Sequence, residues 1–235
     1  MIDNLIEIVQ SFIDLGGWVV AVLLGLSVFA LAVILLKFMQ FARERVGSHG
    51  RPREALRLWS QRDYKGAEQL VSNDRSLVSE TLSTAIRLSG RRATSKAAIE
   101  EEVARIAVGR LHHLQRGFRA LDAVAQIAPL LGLFGTVLGM IEAFQALQGA
   151  GNAVDPSILA GGIWVALLTT AVGLAVAMPV SLVLTWFESR VENERVAVET
   201  LTGAFLSSRS LGTVEDHPET HHDFAATIDE RSAAY

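Results

Sequence analysis

Residues 128–140 read Ala128-Pro129-Leu130-Leu131-Gly132-Leu133-Phe134-Gly135-Thr136-Val137-Leu138-Gly139-Met140. Three glycines, a proline and a threonine interrupt an otherwise aliphatic run. In a soluble helix each interior glycine costs about 1 kcal/mol against alanine and a proline about 3 kcal/mol. Inside lipid the terms change. Every backbone N–H and C=O must find an internal partner there, so the helix is held even where propensity is poor. Glycine then offers close approach to a second helix. The stretch is therefore read as a membrane span built for tight packing.

The rest of the chain supports this. Half of its 235 residues are hydrophobic and 20% are charged. No charged side chain occurs from Leu15 to Leu36, from Ala123 to Ile141 or from Pro156 to Phe187. Crossing roughly 30 Å of hydrocarbon takes about 20 mostly apolar residues, so each run is near or above that length. The fold expected is all-α and polytopic, with three transmembrane helices. The first run is preceded by Asp3, Glu7 and Asp14 and followed by Lys37, Arg43 and Arg45. A signal peptide has the opposite charge order, so this is a retained span. With no cysteine in the chain, disulfides and thiolate metal sites are excluded.

Charge also sets an expected orientation. Residues 40–120 hold 16 Lys and Arg against 9 Asp and Glu, whereas residues 143–155 hold no Lys or Arg and one acid, Asp155. Positive charge marks the cytoplasmic side. The division expected is a periplasmic N-terminus (1–14), transmembrane helix 1 (15–38), a cytoplasmic helical domain (39–120), transmembrane helix 2 (121–145), a short periplasmic connection (146–156), transmembrane helix 3 (157–187), a cytoplasmic helix extension (188–209) and a mobile cytoplasmic tail (210–235).

Within 39–120, the segment from Pro52 to Val71 reads as two short helices with Leu56, Trp59, Ala67 and Leu70 as apolar faces. Asn73-Asp74 reads as a turn or cap. A helix from about Ser76 to Leu88 should end at Gly90-Arg91-Arg92. Ser95 suits the next N-cap, with Ala98 where a reciprocal glutamate would stand. From Lys96, Val103, Ile106, Ala107, Arg110, Leu111, Leu114 and Phe118 recur at helical spacing, predicting a nearly unbroken helix into the second span. The third span should continue through Val191, Val196, Val198 and Leu201. His217, His221 and His222 lie in the polar, acidic tail and read as ordinary tail histidines, not metal ligands.

Gly132, Gly135 and Gly139 fall three and four residues apart. The third span answers with Ala160, Gly161, Gly162, Ala166, Thr169, Thr170, Gly173 and Ala177. Thr136 and Thr170 lie at comparable depth from the connection between these spans. Two roles are open to them: lining a polar track, or bonding their own helix carbonyls and packing as small residues. No ionisable residue lies between Ala123 and Ile141 or between Pro156 and Phe187, although one is the usual mark of a proton or ion relay; Asp122 and Glu142 stand at the ends of the second span. A proton-moving protein built this way would borrow its carboxylate from a partner. No phosphate-binding loop, metal-ligand helix or nucleophile elbow occurs, so no enzymatic activity is expected.

Residues 128–141 resemble the second-span signature of the ExbB/TolQ/MotA proton-channel family. Gly162-Ile163-Trp164-Val165-Ala166-Leu167-Leu168-Thr169-Thr170-Ala171-Val172-Gly173-Leu174-Ala175-Val176-Ala177-Met178-Pro179 resembles its third-span signature. The fit is closest to the ExbB and TolQ branch, over about residues 10–205. The resemblance implies a homo-oligomeric ring, five subunits, in the bacterial inner membrane. The ring would enclose single-span ExbD/TolR-like partners, each supplying a membrane aspartate loaded by proton motive force. It would drive a TonB-like protein that energises outer-membrane transport. A TolA-like protein serving envelope integrity, or a specialised force-generating or scaffold complex, are the alternatives. In that frame Thr136, Thr170 and Thr169 are ion-pathway residues. Gly132, Gly135, Gly139, Gly162 and Gly173 pack the pore helices, and Pro129 and Pro179 shape their inner ends. One position departs from the family pattern: Val165 stands where Gly-Ile-x-Glu-Ala-Leu has glutamate. Apart from lipids, no cofactor, metal or nucleic acid is implied.

Overall fold

The computed structural model describes residues 2–90, 94–149 and 156–215. They are all-α: α1 (Ile2–Arg43), α2 (Gly50–Ser60), α3 (Tyr64–Ser72), α4 (Leu77–Ser89), α5 (Lys96–Gln115), α6 (Phe118–Gly149) and α7 (Pro156–Glu215). Three segments, Gly17–Arg43, Lys96–Gly149 and Leu159–Ser208, contain stretches long and apolar enough to cross a membrane. The 60 residues of α7 correspond to about 90 Å of helix, against roughly 30 Å of bilayer core. Its C-terminal part extends beyond any span, and the helix runs past residue 209 to Glu215. The histidines of the tail lie outside the described residues, as do Arg91, Arg92 and Asp155.

α1 is not one straight rod. Gly17 has φ 64° and ψ −162°, a conformation open to glycine and costly for residues with a Cβ. A second break falls where sequence periodicity predicts continuity. Between α5 and α6, Gly117 has φ +89°, and Arg116 ends α5 with φ −57° and ψ 131°. The apolar spacing Leu114-to-Phe118 carries across this joint, so periodicity alone hides it. Both side chains are buried nonetheless.

The joint is filled by Lys37. Its Nζ donates to the Leu114 carbonyl at 3.0 Å and to Gln40 Oε1 at 2.8 Å, and it sits 5.6 Å from the Phe118 ring centroid. A lysine at a helix C-terminus satisfies carbonyls that have no helical partner. Lys37 thereby ties α1 to the α5–α6 corner.

Two cores follow. In the first, α1, α6 and α7 meet around Phe187, which is fully buried. Its ring centroid lies 5.0 Å from Phe38, 4.9 Å from Phe41 and 5.9 Å from Phe118. Such pairs add about 0.5–1.5 kcal/mol each beyond area burial. Arg190, one turn on, lies 5.1 Å from the Trp186 ring.

In the second core, α2–α5 wrap the C-terminal half of α7 around Val71, Val78, Leu82, Ile99, Val103, Leu201 and Phe205. The short helices have the expected cores at Ala67 and Val103, while Leu56, Trp59 and Leu70 flank rather than fill them. Trp59 packs on Phe205 at 4.8 Å. Val196, read as part of the apolar face, is exposed. Ser95 caps α5 as read, accepting from the Ala98 N–H, and Ser76, read as the first residue of its helix, is instead the N-cap of α4, accepting from the Ser79 N–H.

Asp74 does more than turn the chain. It is buried, with Oδ2 accepting from Ser76 Oγ at 3.0 Å and Ser79 Oγ at 2.8 Å. Its Oδ1 faces Arg45 at 3.4 Å and Arg51 at 3.7 Å. Burial alone would raise its pKa, but the two hydroxyls and the two guanidinium groups outweigh burial and hold the carboxyl below its ordinary value. A carboxyl depressed in the folded state stabilises the fold above its ordinary pKa. That contribution is lost as pH falls below about 4, through the folded value. Asp74→Asn should therefore destabilise the protein by about 1–3 kcal/mol near neutrality. The difference between the thermal midpoints of variant and wild type should shrink as pH is lowered towards 3. An unchanged difference would show that Asp74 acts through shape alone.

Candidate functional site

α6 and α7 form an antiparallel hairpin whose seam is made of missing side chains. A Cβ placed on Gly173 would stand 2.6 Å from the Ala128 carbonyl oxygen and 3.2 Å from Gly132 Cα. On Gly132 it would meet the Thr169 carbonyl at 2.9 Å and Thr170 Cα at 3.0 Å. Gly135 faces the Thr169 side chain at 2.6 Å, Gly139 faces Ala166 Cβ at 2.9 Å, and Gly162 faces Ala143 Cβ at 2.5 Å. All five glycines singled out from the sequence thus lie on one contact line, with Ala128, Ala143 and Ala166 completing it. Gly161 does not: a Cβ there would meet nothing within 4 Å.

The three threonines separate. Thr169 is buried in the seam, its hydroxyl 2.7 Å from the Ala166 carbonyl and 3.1 Å from the Gly132 carbonyl of the other helix. A single proton serves both, so this hydroxyl stitches α7 to α6. Thr136 donates to the Leu133 carbonyl of its own helix at 2.6 Å. It lies on a shallow groove of about 540 Å³ with Met140, Phe144, Gln145 and Gln148. Thr170 stands level with Gly132, and its hydroxyl is enclosed without a hydrogen-bond partner among the described residues. An unmatched buried hydroxyl costs about 1–3 kcal/mol; because the chain's own atoms cover it, a side-chain rotation must expose it before an external group can bond it.

Pro129 and Pro179 both lie inside their helices. Each removes one ladder bond, which frees the carbonyls of Ala125 and Ala175. Val165 is half-buried on α7, next to the seam residue Ala166. Asp122 and Glu142, the acids nearest the second apolar run, are exposed. Outside the seam, α6 presents Leu130, Leu133, Phe134, Val137, Ile141 and Phe144 to the surroundings, and α7 presents Trp164, Leu167, Leu174, Met178 and Leu182. Exposed apolar area on this scale belongs against lipid or other protein.

Sequence reasoning missed one anchor. Glu194, on the extension of α7, is 1% exposed. Its Oε1 accepts from the Gly47 backbone N–H and lies 2.9 Å from His49 Nε2. The loop after α1 is thereby strapped to α7 across about 145 residues of sequence. An isolated glutamate in a charged helix face carries no local signal of this. Among the described residues, no three His, Asp or Glu side chains converge as metal ligands.

The seam of this hairpin falls inside a segment, residues 72–200, that matches the model of the MotA/TolQ/ExbB proton channel family. The chain belongs to that family. The match covers more than half of the chain, including α4–α6 and α7 as far as residue 200. Among curated relatives, an ExbB homologue of Methanothermobacter thermautotrophicus is 34% identical over 122 residues, 52% of this chain and 42% of that protein. The ExbB-like protein 3 of Synechocystis is 27% identical over 190 residues, 80% and 89% of the two chains. TolQ of Haemophilus influenzae, a Tol-Pal system protein, is 41% identical over 86 residues, 37% and 36% of the two. The aligned part spans less than half the length of the Methanothermobacter and Haemophilus proteins. Family and helices together describe a multi-pass membrane protein of the ExbB/TolQ type.

Proposed function

We propose that this chain is the ring-forming subunit of a proton-motive-force-driven motor in the bacterial inner membrane. It would work with an ExbD-like single-span partner and energise TonB-dependent outer-membrane transport. The N-terminus would lie in the periplasm and the α2–α5 domain and C-terminus in the cytoplasm. One observation carries the reading: a glycine-lined α6–α7 seam, with no ionisable side chain from Ala123 to Ile141 or from Pro156 to Phe187, that holds an unpartnered Thr170 hydroxyl. Desolvated carboxylates are costly without hydrogen-bond donors. Thr170, once its side chain turns outward, and Thr136 near it in height would supply such donors to an aspartate brought by the partner. The exposed apolar rows of α6 and α7 would be covered by neighbouring copies and lipid.

A TolQ-like role draws support from the identity to the Haemophilus protein. Val165 supports a specialised force-generating or scaffold complex, because a valine cannot relay a proton. The test is co-expression with an ExbD-like single-span protein from the same organism, native mass measurement and proton flux in proteoliposomes. Five copies with two partners, and flux abolished by replacing the partner's membrane aspartate, is the expected result. A ring without partner, or no flux under an imposed gradient, would overturn the motor reading.

A further inference from the structure

Where α1 ends, a cavity of about 1150 Å³ opens between α1, the α3–α4 turn, α4 and α5. Its lining is mixed, apolar and basic. Leu36 and Met39, both largely exposed on the apolar part of α1, share its lining with Arg43, Arg75 and Arg87. The acids that share the cavity are already engaged. Asp74 is held by Arg45 and Arg51, and Glu44 and Glu80 both face Arg110, at 3.7 Å and 3.0 Å. His113 lies 3.7 Å from Glu44. Arg43, Arg75 and Arg87 have no carboxylate at ion-pair distance among the described residues. Arg87 feels Glu102 only at longer range, and Glu102 is bound by Arg105 at 2.6 Å.

We propose that this cavity holds the headgroup of an anionic phospholipid, with an acyl chain laid along Leu36 and Met39. Three guanidinium groups without a carboxylate partner among the described residues give the lining an excess of positive charge, and guanidinium is suited to bind phosphate oxygens. The exposed aliphatic side chains, continuous with the span, match the chain region of the same molecule. Basic pockets beside membrane helices take anionic headgroups for this reason. The lipid would fill the gap between span and helical domain and brace the Lys37 corner from outside. The proposal requires that the Arg43 end of α1 meet a membrane face; it does not require that the ring conduct.

The test uses the full chain with its co-expressed partner in mild detergent. Dioleoylphosphatidylglycerol and dioleoylphosphatidylcholine are titrated separately, and retained lipid is counted by native mass spectrometry. Phosphatidylglycerol should bind about 10-fold or more tightly than phosphatidylcholine. The triple variant Arg43→Gln, Arg75→Gln, Arg87→Gln should lose that preference at unchanged complex mass. A control with Arg57→Gln, Arg62→Gln and Arg119→Gln, outside the cavity, should keep it. Equal binding of the two lipids, or full retention by the cavity variant, would overturn the proposal. So would competition by glycerol 3-phosphate as strong as by the lipid, which would mark a soluble-phosphate site. Cross-linking between copies through Ser83→Cys, with no lipid retained, would assign the cavity to a neighbouring subunit. Proton flux is read separately, so a dead motor that still selects phosphatidylglycerol leaves this inference standing.

Discussion

Gly173→Val should prevent the α6–α7 hairpin from closing, and with it the assembly of the complex. The obstacle is backbone, not side chain. The first added carbon falls 2.6 Å from the Ala128 carbonyl oxygen, and Gly132 Cα and N are 3.2 and 3.3 Å away. A flexible neighbour could rotate aside; a helix backbone cannot. Overpacking in a side-chain core costs about 1–3 kcal/mol, and a clash with fixed backbone belongs at or above the top of that range. Relief would require the helices to separate, which would also lengthen the Thr169–Gly132 bond. The matched control is Gly161→Val on the same helix, where the new side chain meets nothing within 4 Å. Both make the same glycine-to-valine exchange and so the same change in helix propensity, so their difference isolates the contact. Intact-complex mass and thermal unfolding in one detergent check this. Equal midpoints for Gly173→Val and Gly161→Val would refute the close-packed hairpin.

The seam is legible in the sequence because lipid removes most other reasons for glycine at three- and four-residue spacing. Two such faces in successive spans are read most simply as facing each other. What the spacing leaves open is which small residue touches which. Gly161 and Gly162 look equivalent by spacing, yet the helix rotation puts one in the seam and the other outside it. The threonines show the same limit. Residues 169 and 170 are neighbours, but about 100° of helical turn sends Thr169 across to Gly132 and leaves Thr170 enclosed and unmatched.

The Lys37–Leu114 and Glu194–Gly47 contacts join residues 77 and 147 positions apart. No local period reports a pairing of that kind. Lys37 counts in the sequence as one positive charge at a membrane end, whereas in the fold it is the plug of a corner. The break at Gly117 is hidden because the apolar register survives it. Only the glycine itself hints at a positive φ, and this chain uses glycine at many positions for another reason.

Thr170→Val should separate stability from function. Valine has nearly the shape of threonine and removes only the hydroxyl. Since that hydroxyl has no partner among the described residues, its loss should leave the thermal midpoint unchanged or raise it, by about 1 kcal/mol at most. If the hydroxyl donates to a partner's carboxylate during ion transfer, the same variant should lose most of its proton flux. Thr169→Val gives the opposite pattern. It removes the bond to the Gly132 carbonyl, leaves a buried acceptor less satisfied, and should lower the midpoint by about 1 kcal/mol or more. Thr136→Ala falls between, since that hydroxyl bonds only its own helix. Measuring midpoint and flux for all three variants in the same liposomes decides between the two roles. Normal flux in Thr170→Val and in Thr136→Ala would make these threonines packing residues, and the partner's carboxylate would then have to be solvated by water alone.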